Sequence, residues 1–331
     1  MTFSSERDQF DGRPVVVLCD EAQGRRVRIA CRGATLLNFE VSHAGSRHDL
    51  ADGYRSGDEI DAHPGSRFAV MCPFANRIAD ARYRFDGEEH DLQPGVPEGQ
   101  RGIMHGLVRE AEFDIETLEH DAASASTTLA TTIAPRPGYP FTIELAVCFR
   151  LGAGGLSLEA CMRNRGQRPA PCFFGWHPYL RLGGASVNRW QLQLAARQAI
   201  QTDARLIPLP GDAARVALDT VAPAMDFRRA RAIGDAELDQ GYAGREADAD
   251  GRLRSILSDP ASGLAVAMWQ ARGVTLVYTA DTVQRPRQSV ALEPMEAMTD
   301  AFNRADCADA IRLEPGAERR FRCGIELLAG A

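Results

Sequence analysis

Lysine is missing from this sequence: all 38 basic side chains are arginine. Schiff-base chemistry, a lysine general base and the lysine of a Walker-type phosphate loop are thereby excluded, and proton transfer falls to carboxylates and imidazoles. Paired cysteine motifs are missing too. Cys19, Cys31, Cys72, Cys148, Cys161, Cys172, Cys307 and Cys323 are scattered with no C-x-x-C, and 331 residues can bury a core that needs no staples. They are expected to be reduced packing residues. There is no excess of positive charge: the net charge is -7 and the pI is near 5.6, so neither nucleic acid nor an anionic membrane is expected as a partner. The opening residues, Met1-Thr2-Phe3-Ser4-Ser5-Glu6-Arg7-Asp8, lack the basic and then apolar run of a secretory signal, and no later stretch is long and apolar enough to span a bilayer. The expected location is the cytoplasm.

Helical periodicity is also scarce. The best stretches, Asp212 to Leu218 and Asp226 to Ala232, are short, and Pro223 lies between them. What is present instead is alternation of apolar and polar side chains with a period of two, the pattern of half-buried strands. Phe141 to Phe149 alternates, turns through Gly152-Ala153-Gly154-Gly155 and alternates again at Leu156, Leu158, Ala160 and Met162, which predicts an antiparallel hairpin. Tyr83-Arg84-Phe85 runs into Asp86-Gly87, a dipeptide suited to a tight primed turn. Leu264 to Trp269, Thr275 to Tyr278 and Phe321, Cys323, Ile325 and Leu327 repeat the pattern. No linker or repeat divides the chain: Arg168-Pro169-Ala170-Pro171 and the glycines at 152 to 155 are loop-sized. The expectation is one all-β domain, residues 1–331, built as a large antiparallel β-sandwich.

Four segments mix charged or imidazole groups with glycine, proline and aromatics, as ligand-lined clefts do. They are Pro73 to Ala79, Gly102 to Leu107, Phe174 to Leu180 and Leu292 to Asn303. Singly, each has an ordinary structural explanation. His105 before Gly106 suits a turn, His177 before Pro178 suits a strand end, Arg77 beside Asn76 suits a surface ion pair, and Glu293 before Pro294 suits an exposed edge.

Together, in this order, they resemble the aldose 1-epimerase (galactose mutarotase) family from about residue 15 to about residue 327. The resemblance lies in Asn76-Arg77-Ile78-Ala79 with the Asp86-Gly87 turn, His105-Gly106, His177-Pro178-Tyr179, Leu292-Glu293-Pro294 and Asp300-Ala301-Phe302-Asn303. Met225-Asp226-Phe227-Arg228 and Leu238-Asp239-Gln240-Gly241-Tyr242 look like the segment that leads to the family's sugar-binding aspartate. The resemblance implies a β-supersandwich with a sugar in an open cleft. It implies Glu293 as base, His177 as general acid, His105 as a second histidine at the ring oxygen, and Arg77 and Asp239, with Asn76, as binders of hydroxyls. The chemistry suits these residue types. Opening a hemiacetal removes the anomeric hydroxyl proton while the ring oxygen receives one, which a glutamate and a histidine perform near neutral pH. No metal, nicotinamide or other cofactor is required.

The wording departs from the galactose-specific branch. Trp176 stands where asparagine is usual, available either to stack on an apolar sugar face or to pack beneath the site, and Leu107 follows His105-Gly106 in place of a further glycine. The sugar is thus left open.

Three other readings remain at this point. A hexose-6-phosphate 1-epimerase would need an arginine cluster, for which Arg77, Arg101, Arg109 and Arg181 are candidates. A non-catalytic sugar-binding protein would have lost the acid or the base. A metal enzyme would use His105 and His177 as ligands, although closely spaced histidine pairs are absent. Glu296 competes with Glu293 as base. The other histidines, His43, His48, His63, His90 and His120, lie in polar sequence and are expected to be solvated.

Overall fold

The computed structural model describes residues 3–183, 186–244 and 246–328. Strands dominate it, and every strand pairing among the described residues is antiparallel. The first five strands, Phe3–Phe10, Arg13–Asp20, Arg25–Ala30, Thr35–His43 and Ser46–Asp49, form a meander in chain order.

A nine-stranded sheet follows. Its order in space is Asp114–His120, Ser124–Ile133, Ile143–Gly152, Gly155–Asn164, Glu318–Leu327, Leu264–Gln270, Leu253–Asp259, Gln191–Leu194 and Arg231–Ala232. The strand latest in sequence therefore occupies the middle, bonded to Gly155–Asn164 on one side and Leu264–Gln270 on the other. An eight-stranded sheet carries the site. Its spine runs through Asp239–Ala243, Val274–Tyr278, Val290–Met295, Gly175–Trp176 and Val70–Met71, with Tyr179–Leu180 also paired to Val290–Met295.

The alternation predicted from sequence is visible in burial. Along Ile143–Gly152 the side chains of Ile143, Leu145, Val147, Phe149 and Leu151 are buried, and Leu156, Leu158, Ala160 and Met162 answer them across the hairpin. Burying each large apolar side chain is worth about 1.5–3 kcal/mol. Asp86 (φ +49°) and Gly87 (φ +84°) both take positive φ between Arg82–Phe85 and Glu88–Asp91, as a primed hairpin turn requires. One buried cluster extends from Phe3 to Ile325. In it the Trp176 ring meets Phe68 at 5.8 Å and Phe149 at 6.3 Å between centroids, joining the eight-stranded to the nine-stranded sheet.

Three expectations are corrected. Asp212 to Leu218 and Asp226 to Ala232 form no α-helix. The first divides into a 3-10 turn at Gly211–Ala214 and the strand Arg215–Ala217, and the second contains only the strand Arg231–Ala232. Segments this short do not repay helix nucleation when a strand partner is available, here Gln198–Ile200 for the first. Among the described residues the α-helices are Gly57–Ala62 and Ala308–Ile311. Ser56 caps the former by accepting from the Glu59 amide at 3.2 Å, a Ser-x-x-Glu signal. Second, His63 and His90 are buried rather than solvated. Third, Trp176 belongs to the core, as its contacts show. All eight cysteines are free, six of them buried.

Candidate active site

Antiparallel pairing places the first two site segments side by side. Arg77–Ile78 pairs with Ile103–Met104, with Met104 opposite Arg77, so that the chain delivers His105 beside Arg77. The His105 amide donates to the Asn76 carbonyl at 2.8 Å, and Leu107 donates to Cys72 O at 2.8 Å. His105 and Gly106 both have positive φ, +61° and +74°. A Cβ on Gly106 would lie 2.3 Å from Cys72 O, so only glycine fits this approach. Asn76 acts on its neighbour: its Oδ1 accepts from the Arg77 amide at 2.9 Å and from Arg77 Nη1 at 3.0 Å. Asp300 secures the same segment, accepting from the Ala79 amide at 2.9 Å while its own amide donates to Arg77 O.

Glu293 lies within Val290–Met295, paired with Leu276, and is 1% exposed. His177 follows Gly175–Trp176 and is held by its amide to Ala69 O at 3.1 Å. Its Nε2 stands 3.3 Å from Glu293 Oε1. The rings of His105 and His177 meet edge to face at 5.0 Å. One ligating atom from each of His105, His177 and Glu293 falls within 4.8 Å of the others.

These three side chains line one cleft of about 460 Å3, together with Asn76, Arg77, Arg109, Tyr179, Asp239, Tyr278 and Thr282. That volume is within the range for small-molecule sites. Asp239 opens to solvent at the start of Asp239–Ala243.

Burial sets the electrostatics of the three central side chains. Burial drives the Glu293 carboxyl well above its ordinary range, the nearby Asp239 adds to the rise, and Arg77 opposes it. Burial pushes His177 down to about 3, and the charges of Arg109 and Arg67 add to the fall. His105 is lowered well below its usual value, first by burial and then by His177, Arg109 and Arg77. Asp239 is raised by partial desolvation against the pull of Arg77. His105 Nδ1 lies 2.9 Å from Met71 Sδ. A thioether only accepts, so this contact suits the tautomer with the proton on Nδ1, in which neutral His105 has Nε2 as an acceptor.

A model of the aldose 1-epimerase family matches residues 14–326. The chain belongs to the aldose 1-epimerase family. It is 30% identical over 262 residues to the Escherichia coli K12 protein YihR, covering 78% of each chain. It is 25% identical to a maltose epimerase of Levilactobacillus brevis over 87% of this chain and 88% of that one. In fold it is similar to the crystal structure of a galactose 1-epimerase from Lactobacillus acidophilus NCFM, with a TM-score of 0.80, 15% identity and coverage of 99% and 100%.

Of the residues singled out in the sequence, this family member brings Glu293, His177, His105, Arg77, Asn76 and Asp239 to one cleft. It does not bring Trp176, which precedes His177 in an extended segment and therefore points the opposite way. Glu296, three residues beyond Glu293, also turns away and pairs with Arg272 at 2.5 Å. Of the four candidate arginines, Arg77 and Arg109 reach the cleft. Arg101 is tied to Asp91 and to the carbonyls of Asp80, Gln93 and Val96, and Arg181 to Asp49. Sequence reading missed Ser66, Tyr278 and Thr282 as lining residues, and Arg109, which donates to Ser66 Oγ at 2.7 Å, was seen only as a phosphate candidate. Its signal was its place four residues after His105.

Proposed function

We propose that this protein is an aldose 1-epimerase, acting in the cytoplasm on a free aldose and interconverting its α and β anomers. The observation that carries the reading is the meeting of Glu293, His177 and His105 within 4.8 Å on a cleft walled by Arg77 and Asp239. The anomeric hydroxyl and the ring oxygen are both bonded to one carbon, so the acid and the base must stand close together, as the 3.3 Å contact between His177 and Glu293 allows.

The pair needs one proton between its members. Ionised Glu293 takes the anomeric hydroxyl proton while protonated His177 supplies the ring oxygen, and the ring carbon-oxygen bond breaks. The pair is left as neutral acid and neutral imidazole. After the aldehyde rotates about its bond to the next carbon, His177 takes the hydroxyl proton, Glu293 returns one to the carbonyl oxygen, and the ring closes on the other face. The opposed shifts of the two groups favour the neutral pair, and direct proton transfer across their contact converts it to the ion pair that the first step uses. Arg77 and Asp239 hold hydroxyls, and Asn76 holds Arg77. His105, expected as a second histidine at the ring oxygen, offers in its neutral form an acceptor at Nε2 and is assigned instead to a sugar hydroxyl.

With only Arg77 and Arg109 of the four candidates at the cleft, the site favours an unphosphorylated sugar. The test is polarimetry or NMR of freshly dissolved anomers across a panel of sugars, with and without a 6-phosphate. Acceleration of a free sugar is expected, and it should survive exhaustive EDTA dialysis. Failure to accelerate any anomer exchange would overturn the reading. Activity lost to EDTA and restored by a divalent ion would replace it with a metal-assisted one, for which the same three side chains offer ligands.

A further inference from the structure

A catalytic imidazole is ordinarily oriented by a hydrogen bond at its second nitrogen. Among the described residues, His177 Nδ1 is buried and finds no hydrogen-bond partner on another residue. What lies against the ring instead is Tyr179, stacked at 4.8 Å between centroids and 6° between planes. Tyr179 is itself fixed: its hydroxyl donates to Gly65 O at 2.9 Å, and the Arg67 guanidinium sits over its ring at 4.8 Å. Arg67 is in turn 1% exposed and forms an ion pair with the buried carboxylate of Asp52, whose carbonyl it also meets at 2.9 Å. Backbone bonds parallel this column, Phe68 N to His177 O and Asp52 N to Tyr179 O, each 2.9 Å.

We infer that Arg67 and Tyr179 are positioning residues for His177: the ring stack, anchored by the buried Asp52 and Arg67 pair, sets the rotation of the imidazole and hence the aim of Nε2 at Glu293. The inference rests on the proposed epimerase reading for its kinetic consequence, but the orientation of the ring is measurable without it. A flat stack suits this task in a pocket where the pair must pass one proton in both directions. It fixes the plane of the ring while leaving both nitrogens free to gain or lose a proton, which a strong acceptor at Nδ1 would bias.

The experiment compares Tyr179→Leu, Tyr179→Phe and Arg67→Met for anomer-exchange kinetics, for the 15N and 1H NMR signals of the His177 imidazole, and for fold by circular dichroism. Tyr179→Leu removes the stack and is expected to lower kcat about 10- to 100-fold, the scale of a misplaced catalytic group, with a smaller change in KM from its place on the cleft wall. Tyr179→Phe keeps the aromatic face and should recover most of that loss. Arg67→Met should move the His177 ring signals in the same direction as Tyr179→Leu. Equal impairment by Leu and Phe, or a folded Tyr179→Leu variant with unchanged kcat and ring signals, would overturn the inference. Arg67→Met strips a partner from a buried carboxylate; if it does not fold, the two Tyr179 variants decide alone. If the wild-type protein exchanges no sugar, the epimerase reading has failed, and the ring signals still decide the positioning.

Discussion

Asp52 and Glu293 are both buried carboxylates, one at each end of the column that runs through Arg67, Tyr179 and His177, and their surroundings push them in opposite directions. Burial alone would raise Asp52, but Arg67 and Arg285, with a hydrogen bond from Ser289, outweigh it and hold the group below its ordinary value. Both of its oxygens are engaged: Arg285 Nε at 3.0 Å on one, Arg67 and Ser289 Oγ on the other, the latter at 2.9 Å. Glu293 Oε2 has no partner among the described residues, and burial, with the charge of Asp239, raises its carboxyl against the pull of Arg77. A satisfied buried charge fixes structure, whereas an unsatisfied one is held ready for a ligand and weakens the fold. The difference separates scaffold from chemistry along one column of packed side chains.

The largest effect should come from the unsatisfied end. Glu293→Gln keeps the shape and removes the base, so kcat for anomer exchange is expected to fall about 100- to 10,000-fold, while the urea midpoint stays the same or rises. Near-normal exchange in a folded Glu293→Gln variant would end the assignment of the base. Asp52→Ala should behave in the reverse manner. Removing one partner from a buried pair costs about 3–5 kcal/mol, which urea unfolding would register as a large loss of stability; a variant as stable as wild type would show that the network is not structural. Arg77→Ala should raise KM more than it lowers kcat, by an interaction worth about 1.5–3 kcal/mol, and unchanged KM with collapsed kcat would move Arg77 into the chemistry. Glu296→Gln, which loses only its link to Arg272 and its other neighbours outside the cleft, should leave kcat far closer to wild type than Glu293→Gln does.

A separate test lies in the pH dependence of stability. A histidine whose folded pKa is lowered contributes stability that is fully present above its unfolded value, about 6.5, and is lost as pH falls toward the folded value, here about 3. Asp52, lowered as well, loses its contribution only as pH falls through its own depressed range. Glu293, raised, has the opposite sign: its contribution is present at low pH and is lost as pH rises through its elevated pKa. His177→Asn should therefore flatten the slope of unfolding free energy between about pH 6.5 and pH 4, in urea titrations at a series of pH values. An unchanged slope would show that His177 titrates normally.

Much of this was legible in the sequence where chemistry is periodic. Alternation located the hairpin of Ile143–Gly152 with Gly155–Asn164 and the strand carrying Cys323 and Ile325, because period two and burial on one face are the same fact. The same rule, applied residue by residue, would have sent Trp176 and Glu296 away from the cleft, since each stands an odd number of positions from the neighbour that faces it. The helix Gly57–Ala62 was announced by Ser56 and Glu59 and overlooked because it is only six residues long. Ser66, Tyr278 and Thr282 carried no local signal. They reach the cleft only through the pairing of distant strands and loops, and proximity of that kind is not written in any window of sequence. Arg67 was invisible for another reason: a fully buried arginine reads in sequence like any exposed one, and only its ion pair with Asp52 reveals it.

The position of Glu318–Leu327 in the middle of the nine-stranded sheet has a consequence for how the molecule comes into being. Until that strand is in place, Gly155–Asn164 and Leu264–Gln270 cannot be joined, and each presents an open row of amides and carbonyls. During synthesis the edge of Gly155–Asn164 stays unpaired while roughly the last half of the chain is made, and that of Leu264–Gln270 while roughly the last fifth is made. Such edges recruit other strands readily. The final zippering is a long-range event of the kind that slows folding, so assistance from chaperones would act on this protein late, at the closing of the sheet rather than at the cleft.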